Sequence, residues 1–204
     1  MPVSLALFPI VSVAAFTGAR RNEILALQWT DLDRAETTLR IERAAEQTKA
    51  GGLRIKGPKT ERGKRTIKID GELLAMLLGE KERHLRIAAG VPDGTAVDLS
   101  LVKLPPGALM FPSPRSLTQL RNPSGLTKEF CRKASLLGFP DLRFHDLRGT
   151  HETHLLDRGM SVAAVASRCG HDPAVMLRAY AKRTRKADNA IADVIGELAK
   201  GVLR

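Results

Sequence analysis

The sequence has 204 residues, of which 33 are Lys or Arg and 22 are Asp or Glu, so its formal net charge is +11. This length suits one domain with its own core, and a content of 43% hydrophobic and 27% charged residues indicates a folded globular protein. Two cysteines, Cys131 and Cys169, exclude a disulfide scaffold and fit a reducing cytoplasm. The apolar run from Leu5 to Phe16 is too short to span a bilayer. The excess positive charge indicates a polyanionic partner.

The hydrophobic pattern predicts helices around one small sheet. Residues 9–28 are predicted to form a helix in two pieces, broken at Thr17-Gly18, and residues 31–36 a polar turn. Three strands of one antiparallel sheet are predicted at 38–43, 52–56 and 65–70. Residues 89–109 are expected to be a loop, and further helices are predicted at 71–88, 125–137, 145–158, 162–169, from 173 onward, and 185–199. This order predicts a single α+β domain over residues 1–204.

A strongly basic stretch lies in the predicted sheet. Residues 49–68 hold eight Lys or Arg and one acidic residue, Glu61, so this stretch carries +7 of the net charge of +11. Leu53, Ile55 and Ile67 alternate with basic residues, as in a half-exposed pair of strands. The pattern fits a soluble basic hairpin and, slightly better, a β-ribbon that contacts phosphate groups.

Four segments carry side chains that can bind phosphate or move protons. In the first, the break at Thr17-Gly18 places Arg20 at a helix start, where unpaired backbone N–H groups also favour an anion. Glu23 lies one turn further along and could orient the guanidinium. The plainer interpretation, which this segment alone favours, is a helix cap with surface arginines.

The second segment is Pro58-Lys59-Thr60 in the basic stretch. A lysine on a tight turn is a mobile cation that can contact phosphate or donate a proton. Lysines at hairpin tips are common, so this segment by itself is a weak signal. Lys56 and Lys64 are alternatives for the same role.

The third segment is His145-Asp146-Leu147-Arg148. Residues i and i+3 of a helix share a face, so His145 and Arg148 are expected to point towards one target. The histidine can exchange protons near neutral pH while the arginine stays charged. A histidine at a helix N-terminus beside a surface arginine explains this segment equally well.

The fourth segment is Gly170-His171, followed by Tyr180, which is the single tyrosine of the chain. Asp172-Pro173 predicts a helix start that places Tyr180 about two turns along the new helix. A cationic neighbourhood favours the phenolate form of a tyrosine, and the basic neighbours here are Arg178, Lys182 and Arg183. The ordinary alternative is a buried core tyrosine.

Other chemistries lack their motifs. His151 and His154 are three residues apart, whereas the zinc helix of metalloproteases needs histidines four apart. Cys169 and His171 could add ligands, but no paired Cys-x-x-Cys supports a zinc site. The sequence has no P-loop, no dinucleotide fingerprint and no nucleophile elbow. We therefore expect neither a metal ion nor a nucleotide cofactor.

In this order, the four segments resemble the catalytic domain of the tyrosine recombinases, the phage integrase family. The resemblance runs from about Phe8 to about Leu198, nearly the whole chain. It fills all six active-site positions of the family: Arg20 in a Thr-Gly-x-Arg turn followed by Glu23, Lys59 between proline and threonine, His145 and Arg148 in a His-x-x-Arg motif, His171 after Gly170, and Tyr180. Two departures are Arg168-Cys169, where the family usually has two leucines, and Lys182, where many relatives have histidine.

The resemblance implies the tyrosine-recombinase fold, which is α+β and mainly helical with a small three-stranded antiparallel sheet. It also implies a reaction in which Tyr180 attacks a DNA phosphodiester and releases a 5′-hydroxyl. The 3′-phosphotyrosyl link stores the bond energy, so strands can be cut and rejoined without a cofactor.

The resemblance assigns a role to each of the other site residues. Arg20, supported by the glutamate of its turn, and Arg148 would clamp the nonbridging phosphate oxygens. Lys59 would protonate the leaving oxygen. His145 would assist proton transfer with the tyrosine, and His171 would hydrogen-bond the phosphate.

A site-specific recombinase or integrase of this kind acts on double-stranded DNA in the cytoplasm of a bacterium, in a phage or mobile-element context. Further DNA contacts are expected from Lys56, Arg62, Lys64, Arg65, Lys182 and Arg183. The last predicted helix carries an apolar stripe formed by Ile191, Val194, Ile195 and Leu198. This stripe would dock on a neighbouring protomer in a tetramer on DNA, and without DNA we expect a monomer. Such enzymes normally carry a preceding helical domain that clamps DNA, and we expect this chain to be a catalytic domain without it.

Two alternatives stay open. A type IB topoisomerase shares the tyrosine and most of the cations, although the histidine of the His-x-x-Arg motif favours a recombinase. A non-catalytic DNA-binding relative would show salt-dependent binding without cleavage, although six filled positions argue against it.

Overall fold

A computed structural model of the protein describes residues 7–48, 51–57 and 63–181. The helices in these ranges are α1 (Leu7–Thr17), α2 (Arg21–Ile24), α3 (Gly71–Ala89), α4 (Pro123–Leu136), α5 (Asp146–Asp157), α6 (Val162–Cys169) and α7 (Pro173–Ala181). The strands are β1 (Leu32–Asp33), β2 (Thr38–Ile41), β3 (Ala44–Thr48), β4 (Gly52–Lys56), β5 (Arg65–Lys68), β6 (Pro112–Ser113) and β7 (Ser116–Leu120). The predicted α+β class, mainly helical with small antiparallel sheets, is confirmed.

The first helix anchors the main core. Ile10 and Val13 of α1 are fully buried, and the helix packs against α3 and α5. At its end Gly18 has a φ of +65°, a left-handed conformation that glycine adopts without strain. This turn ends α1 and lets α2 begin at Arg21, which is the break that the sequence predicts.

The predicted three-stranded sheet exists, but its members differ from the prediction. β2 lies between β1 and β5, with Leu39 opposite Ile67. β4, which we predicted as part of this sheet, instead pairs with β3 in a separate hairpin. The sequence of β3 is Ala-Ala-Glu-Gln-Thr, which carries little strand propensity and therefore gives no local signal.

A buried ion pair explains where the chain changes sheets. Asp31 is 4% exposed, and both of its carboxylate oxygens accept hydrogen bonds from Arg43 Nη2, at 2.5 and 2.6 Å. This pair holds Arg43 between β2 and β3, so the strand predicted over 38–43 ends early, at Ile41. The prediction of a polar turn at 31–36 was also partly wrong, because Asp31 is buried and Leu32–Asp33 forms β1.

The third helix follows the predicted bounds closely. Asp70 caps α3 by accepting a hydrogen bond from the Leu73 backbone N–H, and Gly90 closes the helix in a left-handed conformation. His84 of α3 is fully buried and accepts a hydrogen bond from the Trp29 indole at 3.0 Å. Residues 90–109 contain neither helix nor strand, as predicted, and the small hairpin of β6 and β7 that follows was not predicted.

The last three described helices start at or near the predicted residues. The Ser161 hydroxyl caps α6, and the Asp172 carboxylate accepts a hydrogen bond from the Ala174 backbone N–H at the start of α7. A second, smaller core joins these two helices through Val165, Ala166, Cys169 and Met176. The predicted helix at 185–199, with its apolar stripe, lies outside the described residues. Within the described ranges, no helix has the length and apolarity needed to cross a bilayer.

Candidate active site

Arg148 lies in the first turn of α5 and is buried where three segments meet. Its side chain is 2% exposed, and Nη1 donates to Gly18 O at 2.6 Å while Nη2 donates to Cys169 O at 2.8 Å. Nε donates to His171 Nε2 at 3.0 Å. Burial lowers the pKa of Arg148, and so does the charge of Arg20, but an arginine remains protonated in proteins. These bonds leave one N–H on each terminal nitrogen for another acceptor.

Arg20 is fixed by the glutamate that follows it. Arg20 caps α2, with Nη1 donating to Glu23 Oε1 at 2.8 Å and its backbone N–H donating to Glu23 Oε2 at 2.8 Å. Nη2 donates to Gly170 O at 3.0 Å, which joins α2 to the segment before α7. The Arg20 side chain remains 41% exposed. The structure therefore shows an arginine that Glu23 orients while its guanidinium still faces outward.

Arg65 completes the surroundings of Glu23. Its Nη2 and Nη1 donate to Glu23 Oε2 and Oε1 at 2.8 and 3.2 Å, and its Nε donates to Arg168 O at 2.8 Å. Burial raises the pKa of Glu23, but the hydrogen bonds and charge of Arg65, together with Arg20, outweigh it and lower that pKa. The Arg65 side chain is only 6% exposed. The guanidinium thus neutralises Glu23 inside the protein, and the DNA contact expected of Arg65 from the sequence stays a prediction.

Arg20 and Arg148 line one cleft of about 570 Å³. His145, at the residue before α5, lines the same cleft and is exposed. The other basic side chains of its lining are Arg21 and Arg143. Among the described residues, no acidic side chain lines this cleft. The predicted convergence of His145 and Arg148 on one target is thus present, and the cleft is suited to an anion.

A second cleft, of about 500 Å³, adjoins the first at Arg20. It is bordered by Gly57 and Gly63, on either side of residues 58–62, and by Lys56, whose Nζ lies 3.1 Å from Glu46 Oε1. Lys59 and Arg62 lie outside the described residues, as do Lys182 and Arg183. Lys64 is described and exposed.

Tyr180 lies in the last turn of α7, away from the two arginines. Its hydroxyl donates to Asp157 Oδ1 at 3.2 Å. Asp157 ends α5, nine residues after Arg148, which corresponds to about 13 Å along the helix axis. Desolvation and the Asp157 carboxylate raise the pKa of Tyr180. Of the three basic neighbours predicted to favour a phenolate, Lys182 and Arg183 lie outside the described residues, and the hydroxyl donates to the Asp157 carboxylate, which favours the neutral phenol.

Sequence analysis missed Glu152, which lies beside two of the predicted site residues. Glu152 Oε1 is 3.0 Å from Arg148 Nε and 3.1 Å from His171 Nε2. The available signal was its spacing, since a residue four positions after Arg148 shares its helix face. No group of three or more His, Cys, Asp or Glu side chains in the described part of the chain is arranged to hold a metal ion.

The unusual Arg168 has a structural explanation. Its Nη1 donates to Lys68 O at 3.1 Å and its Nη2 donates to Phe16 O at 3.2 Å. Its Nε lies 3.4 Å from His151 Nε2. Arg168 therefore connects α6 to the ends of α1 and β5 by hydrogen bonds. A leucine at this position has no N–H donors in its side chain and could not form them.

The sequence profile of the phage integrase family matches residues 2–187. The chain belongs to the phage integrase family. This assignment confirms the resemblance that the site motifs indicate, over nearly the whole chain.

Curated relatives of this integrase-family chain include prophage and phage integrases and a bacterial XerC-like tyrosine recombinase. It is 27% identical over 192 residues to a putative prophage phiRv2 integrase of Mycobacterium tuberculosis, covering 93% of this chain and 46% of the relative. It is 29% identical over 168 residues to a XerC-like tyrosine recombinase of Caldanaerobacter subterraneus, covering 76% of this chain and 40% of that relative. The chain thus spans less than half the length of these relatives.

Solved structures share the fold of this integrase-family chain. The Tn1549 transposon integrase, in complex with circular intermediate DNA, superposes with a TM-score of 0.67 at 19% identity, over 92% of this chain and 59% of that one. The XerA recombinase superposes with a TM-score of 0.60 at 19% identity, over 95% of this chain and 58% of that one. The predicted tyrosine-recombinase fold is confirmed.

Proposed function

We propose that this chain is the catalytic part of a site-specific recombinase that cuts and rejoins double-stranded DNA through a covalent bond to Tyr180. The observation that carries the proposal is the convergence of Arg20, Arg148 and His145 on one cleft without acidic side chains among its described lining residues. Membership of the phage integrase family supports it. The Tn1549 integrase, which has the same fold, is bound to DNA in its structure, and this supports duplex DNA as the partner.

The two arginines would hold the nonbridging oxygens of one phosphodiester. Arg148 has one N–H left on each terminal nitrogen, and Arg20 presents a guanidinium that is already fixed by Glu23. Charge-assisted hydrogen bonds of this kind are short and strong, and they strengthen as charge builds up on the pentacoordinate phosphorus. Preorganisation by Glu23 reduces the ordering that Arg20 would otherwise undergo at that step.

The covalent step exchanges one ester bond for another. Tyr180 Oη forms a bond to phosphorus, the bond from phosphorus to the 5′ oxygen breaks, and the DNA 3′ end becomes a phosphotyrosine. The tyrosine proton passes to His145, and the leaving 5′ oxygen takes a proton from Lys59, with Lys56 as the alternative donor. His171 hydrogen-bonds the phosphate. Attack by the 5′-hydroxyl of another strand reverses the step and rejoins DNA.

The reaction requires Tyr180 to leave Asp157. The Tyr180 hydroxyl donates a hydrogen bond to Asp157, which lies at the far end of α5 from Arg148. In the reacting state α7 would carry the tyrosine into the cleft, where the arginines would favour the phenolate that the carboxylate now opposes.

Strand exchange between two duplexes would use four protomers, each with one tyrosine, in the bacterial cytoplasm where the DNA lies. The apolar stripe of Ile191, Val194, Ile195 and Leu198 would dock on the neighbouring protomer. Light scattering after size-exclusion chromatography tests this proposal: we expect a monomer alone and a complex of four protomers with DNA.

A nicked suicide substrate tests the covalent chemistry. Duplexes with a random central sequence and a nick lose the short 5′ fragment after cleavage, so the covalent adduct accumulates and survives denaturation. We expect the 22.2 kDa chain to form a DNA adduct and Tyr180→Phe to form none. The absence of an adduct with the wild type, or an adduct with Tyr180→Phe, would overturn the proposal. Relaxation of any supercoiled plasmid by a monomer would favour a topoisomerase, and salt-dependent binding without an adduct would favour a binding protein.

A further inference from the structure

Glu152 brings a carboxylate to the meeting point of Arg148 and His171. Its Oε1 lies 3.0 Å from Arg148 Nε and 3.1 Å from His171 Nε2. The side chain is 18% exposed, and Oε1 itself is shielded from solvent. The thiol of Cys169 on α6 contacts the same carboxylate. Polar atoms of Arg148 and Glu152 on α5, of Cys169 on α6 and of His171 before α7 therefore lie close together in one largely buried space.

One N–H of Arg148, on Nε, points into this space, and it is directed at His171. Arg148 Nε donates to His171 Nε2 at 3.0 Å, whereas Glu152 Oε1 lies equally close but outside hydrogen-bond geometry. With His171 Nε2 as the acceptor of this N–H, Oε1 has a well-aligned hydrogen bond from neither Arg148 Nε nor His171 Nε2. A buried carboxylate oxygen without a well-aligned donor is unfavourable and calls for an explanation.

The proposed reaction supplies that explanation. His171 must turn towards the phosphate to hydrogen-bond it, and the Nε–H of Arg148 then loses its acceptor. A buried N–H without an acceptor is strongly unfavourable. Glu152 Oε1 is already within hydrogen-bond distance of Nε, so a small rotation of the carboxylate is enough to accept it.

We propose that Glu152 is a positioning residue that takes over the Nε–H of Arg148 when His171 turns to the DNA phosphate. This inference rests on the proposed function, which gives His171 a phosphate to bind. With Glu152 as the second acceptor, the guanidinium stays anchored through Nε as well as through Gly18 O and Cys169 O. Its two remaining N–H groups then keep their direction towards the phosphate. Without Glu152, either the orientation of Arg148 or the contact from His171 is lost.

Hydrogen exchange of the Arg148 Nε–H tests this replacement without DNA. The Nε–H resonance of Arg148 is followed by NMR and assigned by its absence in Arg148→Lys. The variant His171→Ala removes the histidine acceptor and so represents the state in which His171 has turned to the phosphate. We expect exchange in His171→Ala to stay within about threefold of the wild type, and exchange in Glu152→Ala/His171→Ala to be at least roughly tenfold faster. Fast exchange in His171→Ala alone, or slow exchange in the double variant, would overturn the proposal.

Cleavage of the nicked duplex gives a second, independent readout. Glu152→Gln keeps an oxygen acceptor, so its cleavage rate at saturating DNA is expected to stay within about threefold of the wild type. Glu152→Ala is expected to cleave roughly 10- to 100-fold more slowly, with DNA affinity unchanged within about twofold. The matched control is Glu82→Ala, which removes an exposed glutamate paired with Arg86 on α3 and should cleave at the wild-type rate.

The outcomes separate this inference from the proposed function. If Glu152→Ala cleaves DNA at the same rate as the wild type, the role of Glu152 is overturned while the proposed function stands. Equal slowing in Glu152→Gln and Glu152→Ala, with equal losses of thermal stability, would show a structural role and overturn it as well. A wild type that forms no adduct would overturn the proposed function, and the exchange experiment would still decide whether Glu152 replaces His171.

Discussion

The hydroxyl of Tyr180 lies 3.2 Å from Asp157 Oδ1, at the end of α5 opposite to Arg148. The one side chain that can make a tyrosyl bond is thus hydrogen-bonded to a carboxylate, which opposes its ionisation. Arg20, Arg148 and His145 are already assembled around their cleft in the same conformation. The proposed phosphate-binding residues and the proposed nucleophile are therefore separate in this structure, and the Tyr180 hydroxyl is hydrogen-bonded to Asp157.

Removing the charge of Asp157 should make Tyr180 easier to ionise. Asp157→Asn keeps an acceptor but loses the carboxylate, so we expect the pKa of Tyr180 to fall towards its ordinary value. Ultraviolet absorbance of tyrosinate measures this directly, because the chain has one tyrosine. A neutral acceptor holds the hydroxyl less tightly than a carboxylate, so the initial rate of adduct formation should also rise by roughly threefold or more.

Two variants control this measurement. Tyr180→Phe should abolish the tyrosinate signal, and Asp141→Asn removes an exposed carboxylate elsewhere and should leave the titration unchanged. A titration midpoint that is the same in Asp157→Asn and the wild type would show that Asp157 does not govern the ionisation of Tyr180.

Arg65 should matter for stability more than for DNA binding. Arg65→Ala leaves the buried Glu23 carboxylate without its two-point partner, and breaking a buried pair in this way destabilises a protein by about 3–5 kcal/mol. Arg54→Ala breaks the exposed pair with Glu46 in the same basic stretch, and such pairs contribute about 0–1 kcal/mol. Urea unfolding of both variants measures the difference.

A second substitution tests the cause of that loss. In the Arg65→Ala background the buried Glu23 carboxylate keeps Arg20 as a partner but has lost Arg65, so removing its charge with Glu23→Gln should restore part of the lost stability. Similar small losses for Arg65→Ala and Arg54→Ala, or no recovery with Glu23→Gln, would contradict the buried-pair explanation.

The parts of the site that the sequence predicted depend on neighbouring residues. Arg20 and Glu23 are three positions apart at a helix start, and the Glu23 carboxylate accepts hydrogen bonds from both the backbone N–H and the guanidinium of Arg20. The left-handed Gly18 and the cap at Asp172 likewise follow from turn chemistry within a few residues. Such features are readable because each partner lies within one turn of the other.

The parts that the sequence could not predict depend on distant partners. The carbonyl of Cys169 that anchors Arg148 and the carboxylate of Asp157 that binds Tyr180 are chosen by how α5, α6 and α7 pack. Basic residues are the clearest case, since Arg65 and Lys56 look alike in sequence while one is buried against Glu23 and the other is half exposed. Charge patterns indicate a surface, but packing decides which charges reach it.

Gly18 should tolerate no side chain. A Cβ at Gly18 would lie 2.8 Å from His151 Cδ2 and 2.9 Å from Cys169 Sγ, and its φ of +65° is unfavourable for alanine. Gly159, with a φ of +81° and nothing within 4 Å of a Cβ, has the same backbone strain without the close approach. We expect Gly18→Ala to lose roughly 2–5 kcal/mol and Gly159→Ala about 1–2 kcal/mol, measured by urea unfolding. Equal losses in the two variants would show that the close approach has no effect.

Acid should destabilise the protein through His84. Burial and the charge of Arg83 lower the pKa of His84 to about 4, against 6.5 in the unfolded chain. The unfolded state therefore binds more protons between these values, so this contribution to stability is complete above pH 6.5 and lost as the pH falls to 4, at up to about 1.4 kcal/mol per pH unit.

His84→Gln isolates this effect, because the glutamine oxygen can still accept the Trp29 indole N–H but the side chain does not titrate. Burial also lowers the pKa of His151, so the wild type and His84→Gln share any contribution from His151 and only their difference reports on His84. Urea unfolding at several pH values should give a free energy of unfolding that falls less steeply in His84→Gln between pH 6.5 and 4. Parallel curves for the two proteins would mean that His84 accepts a proton without unfolding the structure around it, in conflict with its burial against Trp29.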